Sequence, residues 1–213
     1  LFALNLPATV PWWLGALGAS ISIIVMKQLF GGLGRNIINP ALGAKCLLMI
    51  LFTEKLMVNN TNESSNLFDL FIGNVDGTIG GTSAIAVLIG AMILVIRGVV
   101  DIRISVVYVT VFAAFVAIIN GQGFDVNYIV ASLCDGSLML AIWFMATDYA
   151  TSPVTKVGKI VYGLILGVLS GVLTTYGQKE ALSFVIILGN LIVPLIEWIT
   201  LPRLRIKEET TNE

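Results

Sequence analysis

Seven apolar runs limit what this chain can fold into. Five carry no charge, at 6–26, 77–96, 104–124, 160–178 and 181–196. Two more are each broken by a single ionisable residue: 38–53 contains Lys45 and 126–147 contains Asp135. Several reach the roughly 20 apolar residues that cross a bilayer, and the shorter ones extend through snorkelling ends. Lipid offers no hydrogen bonds, so each run must satisfy its own backbone as a helix. Composition agrees: 57% of residues are hydrophobic and 12% charged, against roughly 25% charged in a soluble domain. The expected fold is an all-α polytopic membrane protein, a single transmembrane domain over 1–213 with seven crossings. Its environment is the lipid bilayer, and no nucleic acid is expected among its partners.

The chain opens on Leu1-Phe2-Ala3-Leu4-Asn5-Leu6-Pro7, which reads as the tail of an earlier apolar helix, so N-terminal helices are expected upstream. No basic region or small-residue cleavage site marks it as a signal peptide. Cys46 and Cys134 are isolated within apolar runs and read as small buried hydrophobes, and no metal site is expected. Placing the 201–213 tail in the cytoplasm puts Lys27, Arg35, Arg97, Arg103, Lys156 and Lys159 at cytoplasmic ends. Lys55 and Lys179 are left outside, the bias that the positive-inside rule asks for. The polar 54–76 loop is then extracytoplasmic; its Asn62-Glu63-Ser64 matches a glycosylation sequon only weakly.

Four places break the apolar pattern. Phe30-Gly31-Gly32-Leu33-Gly34-Arg35-Asn36-Ile37-Ile38-Asn39-Pro40-Ala41 joins two spans. One reading is a connection in which Asn39 caps a helix beginning at Pro40. The other is a ligand site, with glycines admitting close approach and the Asn36 and Asn39 amides offering donors and acceptors to a polar, planar, uncharged group. Asp148 stands among Thr147, Thr151 and Ser152, either as an ordinary acid at a helix end or as part of a hard-oxygen set for Na⁺ or H⁺. Asp135, beside Gly136 and Ser137, is either an ion-handling carboxylate or the cap of a re-entrant break; Lys45 lies at similar depth. Finally, Gly73-Asn74 through Thr82-Ser83-Ala84 reads either as an anion-binding helix start or as a solvated turn capped by Thr82 or Ser83. No Lys follows in Walker fashion.

In order and spacing these motifs resemble the D subunits of Rnf electron-transport complexes and the related B subunits of Na⁺-translocating NADH:quinone oxidoreductases. The shared segments are Phe30–Asn36 with Asn39-Pro40-Ala41-Leu42, Gly73-Asn74 with Thr82-Ser83-Ala84, and Met145-Ala146-Thr147-Asp148 with Thr151–Thr155. Pro11-Trp12-Trp13 and Val193-Pro194-Leu195-Ile196 add to the likeness. The resemblance covers nearly the whole chain. It implies a bundle of about ten helices in two inverted repeats, of which about seven are visible here. It further implies a bacterial or archaeal cytoplasmic membrane, other Rnf membrane and peripheral subunits as partners, and electron transfer between ferredoxin and NAD⁺ driving Na⁺ or H⁺. The chain would be one station on that path, inactive alone.

Carried over by residue, the resemblance implies that Asn36 and Asn39, with Gly31, Gly32 and Gly34, contact a non-covalent riboflavin. Asp148 with Thr147, and Asp135 by position, would lie on the ion path. The family also holds FMN on a threonine in a Ser-Gly-Ala-Thr-like motif. Nothing between Glu54 and Asp69 reads that way, and Thr61 lacks the small-residue context, so no attachment threonine is named. Either the covalent site is lost or the sequence omits that stretch. Gly81 stands where an acidic residue is expected. The competing readings are a transporter or channel without redox chemistry, and a structural subunit on the same scaffold.

Overall fold

The computed structural model describes residues 1–29, 31–32, 34–56, 67–75, 77–119, 126–134, 136–176 and 181–201. The expectations for Asp135, for Thr61 and the Asn62 sequon, and for the tail beyond Leu201 lie outside the described residues. Among the described residues the architecture is helical, apart from one isolated antiparallel bridge between Pro7 and Thr78. Helix α1 (Trp12–Ser20) runs on into π-helical turns at Ile21–Gln28, and α2 spans Pro40–Leu51. After two short helices at Thr53–Leu56 and Leu67–Ile72 come α3 (Ala84–Ile96), α4 (Ile102–Ile119) and α5 (Val126–Leu133). Helix α6 (Gly136–Leu140) passes into a second π-helical stretch at Ala141–Met145. The set closes with α7 (Lys156–Thr175) and α8 (Leu182–Thr200).

Each of the seven apolar runs contains helix. Helices α4, α7 and α8 are long and apolar enough to cross a membrane alone, and α5 with the Ser137–Met145 stretch forms a fourth candidate bent by 59°. Helices α2 and α3 are shorter apolar helices. The 12 residues of α2 rise only about 18 Å, well short of the roughly 30 Å hydrocarbon thickness. The Gly–Asn turn before α2 lies inside the bundle, with the Asn39 N–H beside Asn190 of the Leu182–Thr200 helix, and irregular backbone at such depth is tolerated only against protein or a polar cavity.

Local chemistry sets the helix starts. Asn39 caps α2 with Pro40 at the first helical position, Ser83 caps α3, and Thr155 caps α7 by accepting from the Gly158 N–H at 3.0 Å. The Asp101 carboxylate does the same before α4, accepting from the Arg103 N–H at 3.0 Å. These oxygens satisfy N–H groups that the first helical turn leaves without partners. Of the two caps considered for the Gly73–Ala84 motif, Ser83 is the one used.

The tightest contact is between α4 and α7. A Cβ added at Gly167 would meet Val111 Cβ at 2.8 Å and the Tyr108 carbonyl oxygen at 3.0 Å; one at Gly163 would lie 2.9 Å from the Ile104 carbonyl. Small residues four apart let two backbones approach, the packing mode available where lipid removes any hydrophobic drive between helices. Tyr108 on α4 and Ser170 on α7 share a buried hydrogen bond across the contact. The main core is built from α4, α7, α8 and the Leu138–Ala146 stretch, and a second cluster joins Phe2, Leu6 and Leu14 to one face of α2. Outward faces stay apolar: Ile85, Ile89, Met92, Ile93 and Ile96 form an exposed stripe along α3. Exposed Trp12 and Tyr176 lie towards one end of the bundle, and exposed Tyr149 and Trp198 towards the other. Such aromatic placement suits the two membrane–water boundaries.

Candidate functional site

Asn39 is 3% exposed. Its Oδ1 accepts from the Ala41 and Leu42 N–H groups at 3.0 and 3.4 Å, and its Nδ2 donates to the Met145 carbonyl at 3.4 Å. Thus the start of α2 meets the end of the Ala141–Met145 π-helical stretch, with one asparagine bridging them. Short π-helical stretches leave carbonyls out of the regular ladder and recur at functional sites. Here the side chain of Asn39 reaches Met145, and that of Ser105 reaches the Ile142 carbonyl at 3.4 Å.

A third buried polar residue completes this junction. Asn190 lies in α8 about 15 Å of helix from Thr200, at 1.5 Å per residue. The amide orientation that satisfies its neighbours has Oδ1 accepting from the Asn39 N–H at 3.0 Å. In that orientation Nδ2 donates to the Tyr162 hydroxyl at 2.7 Å and to the Ile186 carbonyl at 3.2 Å. Pro194 has no N–H to offer the Asn190 carbonyl four residues back, which loosens α8 at this level.

Above this floor opens a cleft of about 340 Å³ lined by Gly34, Asn36, Tyr149, Thr151, Ser152 and Glu197, among others, near the lower limit of the roughly 300–1,000 Å³ usual for small-molecule sites. It brings together the glycine–asparagine turn and the Asp148 loop, two motifs far apart in sequence. Gly34 has φ +80°, and a Cβ there would meet nothing within 4 Å. Its missing side chain leaves one wall of the cleft open. Asn36 contributes a buried Oδ1 with no hydrogen-bond partner among the described residues. Buried amide oxygens are rarely left unpaired, since doing so costs about 1–3 kcal/mol. The two asparagines therefore stand differently: Asn39 is engaged within the protein, and Asn36 retains an unmet acceptor. Of the other glycines, Gly31 and Gly32 adopt φ of +104° and +88° and shape the turn.

Asp148 is half-buried above the floor. Its Oδ2 accepts from the Thr151 hydroxyl at 3.3 Å, and its backbone carbonyl accepts from the Thr151 and Ser152 N–H groups at 3.2 and 3.0 Å. Thr147 donates to the Trp143 carbonyl at 2.7 Å, so its hydroxyl oxygen can still accept. Glu197 ties the loop to α8, its Oε1 accepting from the Val154 N–H at 3.0 Å. Below the floor the polar line continues: Asn5, 4% exposed, places Nδ2 3.8 Å from Met145 Sδ, and Asn39 Nδ2 lies 3.9 Å from the same sulfur. Two buried asparagine side chains thus meet at one methionine, with Asn190 behind Asn39. Lys45 is buried within α2.

A second cleft, of about 460 Å³, shares Tyr149 and Ser152 with the first and reaches Thr147, Asp101, Arg103 and Lys159. Lys159 and Arg103 both bond Asp101 Oδ2, at 2.7 and 3.3 Å. Partial burial pushes the Asp101 carboxyl up, but hydrogen bonds from Lys159 and the Arg103 amide, with both positive charges, outweigh it and hold it below the usual carboxylate range. It is a carboxylate at neutral pH.

Sequence reasoning reached Asn36, Asn39, Thr147 and Asp148 but missed Asn190, Glu197 and Tyr149. Asn190 carried a signal: it is an amide inside an otherwise apolar run, four residues before a proline. Glu197 sits just past that run and had no signal beyond its charge.

Comparison with known proteins places these residues in context. The family model described as the NQR2, RnfD, RnfE family matches residues 1–205. The chain is 38% identical, over 237 aligned positions, to the D subunit of the Na(+)-translocating ferredoxin:NAD(+) oxidoreductase complex of Acetobacterium woodii, covering 98% of this chain and 73% of that protein. It is 30% identical to the D subunit of the ion-translocating oxidoreductase complex of Buchnera aphidicola subsp. Baizongia pistaciae, with 95% and 75% covered. Similarity extends at 27% identity to the B subunit of the Na(+)-translocating NADH-quinone reductase of Pseudoalteromonas atlantica, of which the chain spans 57%. Each aligned stretch is longer than the 213 residues of the chain, so these relatives carry internal segments without a counterpart in the sequence as it stands.

Proposed function

The chain belongs to the NQR2, RnfD, RnfE family, and from that premise we propose that it is a flavin-holding membrane subunit of an Rnf-type complex. In this reading the complex couples electron transfer between ferredoxin and NAD⁺ to movement of Na⁺ or H⁺. Kinship with named subunits makes it a membrane component of an ion-translocating oxidoreductase complex, with other subunits of that complex as partners. The end bearing Arg97, Arg103, Lys156 and Lys159 faces the cytoplasm of a bacterial or archaeal cell, as the positive-inside rule favours.

One observation carries the flavin assignment: Asn36 lines a cleft formed by the two motifs, and its Oδ1 has no hydrogen-bond partner among the described residues. An isoalloxazine edge presents an imide N–H between two carbonyls. Asn36 has an amide oxygen to accept that N–H and amide N–H groups to donate to a carbonyl, once its side chain turns the buried Oδ1 towards the cleft. The open side of Gly34 admits a flat ring, and Tyr149 offers an aromatic surface beside it. Among the described residues no cation lines the cleft and Glu197 does, which favours uncharged riboflavin over the phosphate of FMN. Bound there, the flavin supplies electron transfer, and the protein supplies position and a water-poor surrounding. FMN, attached covalently in the family, is not assigned to any threonine of this chain.

The ion path in this reading starts at the oxygen-rich mouth of Asp148, Thr151, Ser152 and Glu197. It continues past Asn190 and Asn39 to Asn5, with Met145 as the constriction. Thr147 adds a hydroxyl oxygen at the mouth. A transporter without redox chemistry would keep that line of asparagines but would leave Asn36 unexplained.

Two substitutions test the assignment in the assembled complex. Asn36→Leu is expected to remove the non-covalent riboflavin with little change in the Tm of the flavin-free protein, because its Oδ1 makes no bond to the described residues. Riboflavin retained at full occupancy would defeat the site. Asp148→Asn is expected to lower ion transport severalfold per electron transferred in proteoliposomes. An unchanged ratio would make Asp148 a loop-forming residue only.

A further inference from the structure

The charged end of the second cleft, Asp101, Arg103 and Lys159, is not used by the flavin or ion readings, and its chemistry is different. Arg103 and Lys159 both lean on one oxygen of Asp101, while the other oxygen takes the Arg103 N–H. One carboxylate thus answers two cations, leaving a net positive charge and, among the described residues, most of the guanidinium and ammonium donors without an acceptor. Both cations also stand in the first turn of a helix, α4 and α7, where the dipole disfavours them. Helix stability therefore does not account for their placement. Thr147, Tyr149 and Ser152 bring hydroxyls to the same cleft.

The other wall is apolar. Val95, Val99, Val100 and Ile102 line it, and exposed Ile96 and Val99 carry the apolar surface onto the outer face of the bundle. A soluble anion would have no use for that surface. A phosphate joined to acyl chains would meet cations and hydroxyls at the boundary and apolar side chains beyond it. Basic pockets between transmembrane helices bind lipid headgroups by this combination.

We propose that the cleft between the 97–103 turn and the start of α7 binds the phosphate of an anionic membrane phospholipid, with Arg103 and Lys159 as its cationic ligands. Asp101 neutralises part of their charge and competes with the phosphate for both cations. The lipid thereby lies next to Tyr149 and Ser152, which the flavin cleft shares.

The test uses the purified full-length protein, delipidated in neutral detergent, with phosphatidylglycerol and phosphatidylcholine titrated by native mass spectrometry. Phosphatidylglycerol is expected to bind at least tenfold tighter than phosphatidylcholine. Arg103→Gln with Lys159→Gln should weaken it by about tenfold or more, since each basic residue near an anionic lipid contributes. Asp101→Asn should strengthen it severalfold, and this single change keeps the test decisive if the double variant fails to fold. Equal binding of the two lipids, no loss in the double variant, or weakening by Asp101→Asn would overturn the proposal. Free glycerophosphate binding as tightly as phosphatidylglycerol would assign the site to a soluble phosphate ester and overturn the lipid. Loss of phosphatidylglycerol on assembly into the complex would also overturn it, by showing that a protein partner covers the cleft.

Discussion

Asn190→Leu is expected to destabilise the protein by about 2–4 kcal/mol and to empty the proposed flavin cleft. The leucine fills similar volume but leaves the Asn39 N–H and the Tyr162 hydroxyl without their partner. A buried group left unsatisfied costs about 1–3 kcal/mol in soluble proteins, while interhelical bonds in membranes average nearer 0.6 kcal/mol. Two losses at one point, one of them at the start of α2, favour the upper part of the combined range. That is a large share of the roughly 5–15 kcal/mol holding a typical domain. Thermal unfolding in detergent, followed with flavin release, reads both effects. Asn36→Leu should lose flavin alone, whereas Asn190→Leu should lose flavin and Tm together. An unchanged Tm in Asn190→Leu would mean that the bridge from α8 to the Gly–Asn turn does not form.

The second large effect is expected at the α4–α7 contact. Gly167→Leu puts a side chain where Val111 Cβ and the Tyr108 carbonyl already stand. Overpacking typically costs about 1–3 kcal/mol and sometimes more. Here one obstacle is backbone, which cannot rotate aside, so the helices must separate. Separation also breaks the Tyr108–Ser170 hydrogen bond. The expected result is loss of folded protein after membrane extraction. Gly15→Ala is the control: its Cβ would meet only Leu6 Cδ1 at 3.8 Å, and alanine is the better helix former by about 1 kcal/mol. That variant should be neutral or slightly more stable. Equal tolerance of both changes would contradict the close approach of α4 and α7.

Much of this was legible in the sequence because hydropathy speaks directly about membranes. The seven apolar runs fell where helices form, and Asn39-Pro40 announced a cap that is present. Depth was harder to read. The 38–53 run looked like a complete span, but its helix stops at Leu51 and starts in a turn sunk beside Asn190. Nothing local says that a short helix begins inside the bundle rather than at its edge. The separate standing of Asn36 and Asn39 was also hidden. Both are amides on one turn, and only the tertiary packing of Met145 and Asn190 occupies one of them. Residues 163, 167 and 171 displayed their spacing openly as glycines four apart. Their partner helix was not legible, because any apolar helix could have filled that groove.

Flavin binding by this chain is the central claim, and an electron cryomicroscopy map of the assembled complex tests it most directly. Planar density is expected between Gly34 and Asn36 on one side and Tyr149 to Ser152 on the other, with a hydrogen-bonding edge at Asn36 Oδ1. A well-ordered map with that cleft empty, or filled by side chains of a neighbouring protein of the complex, would contradict it.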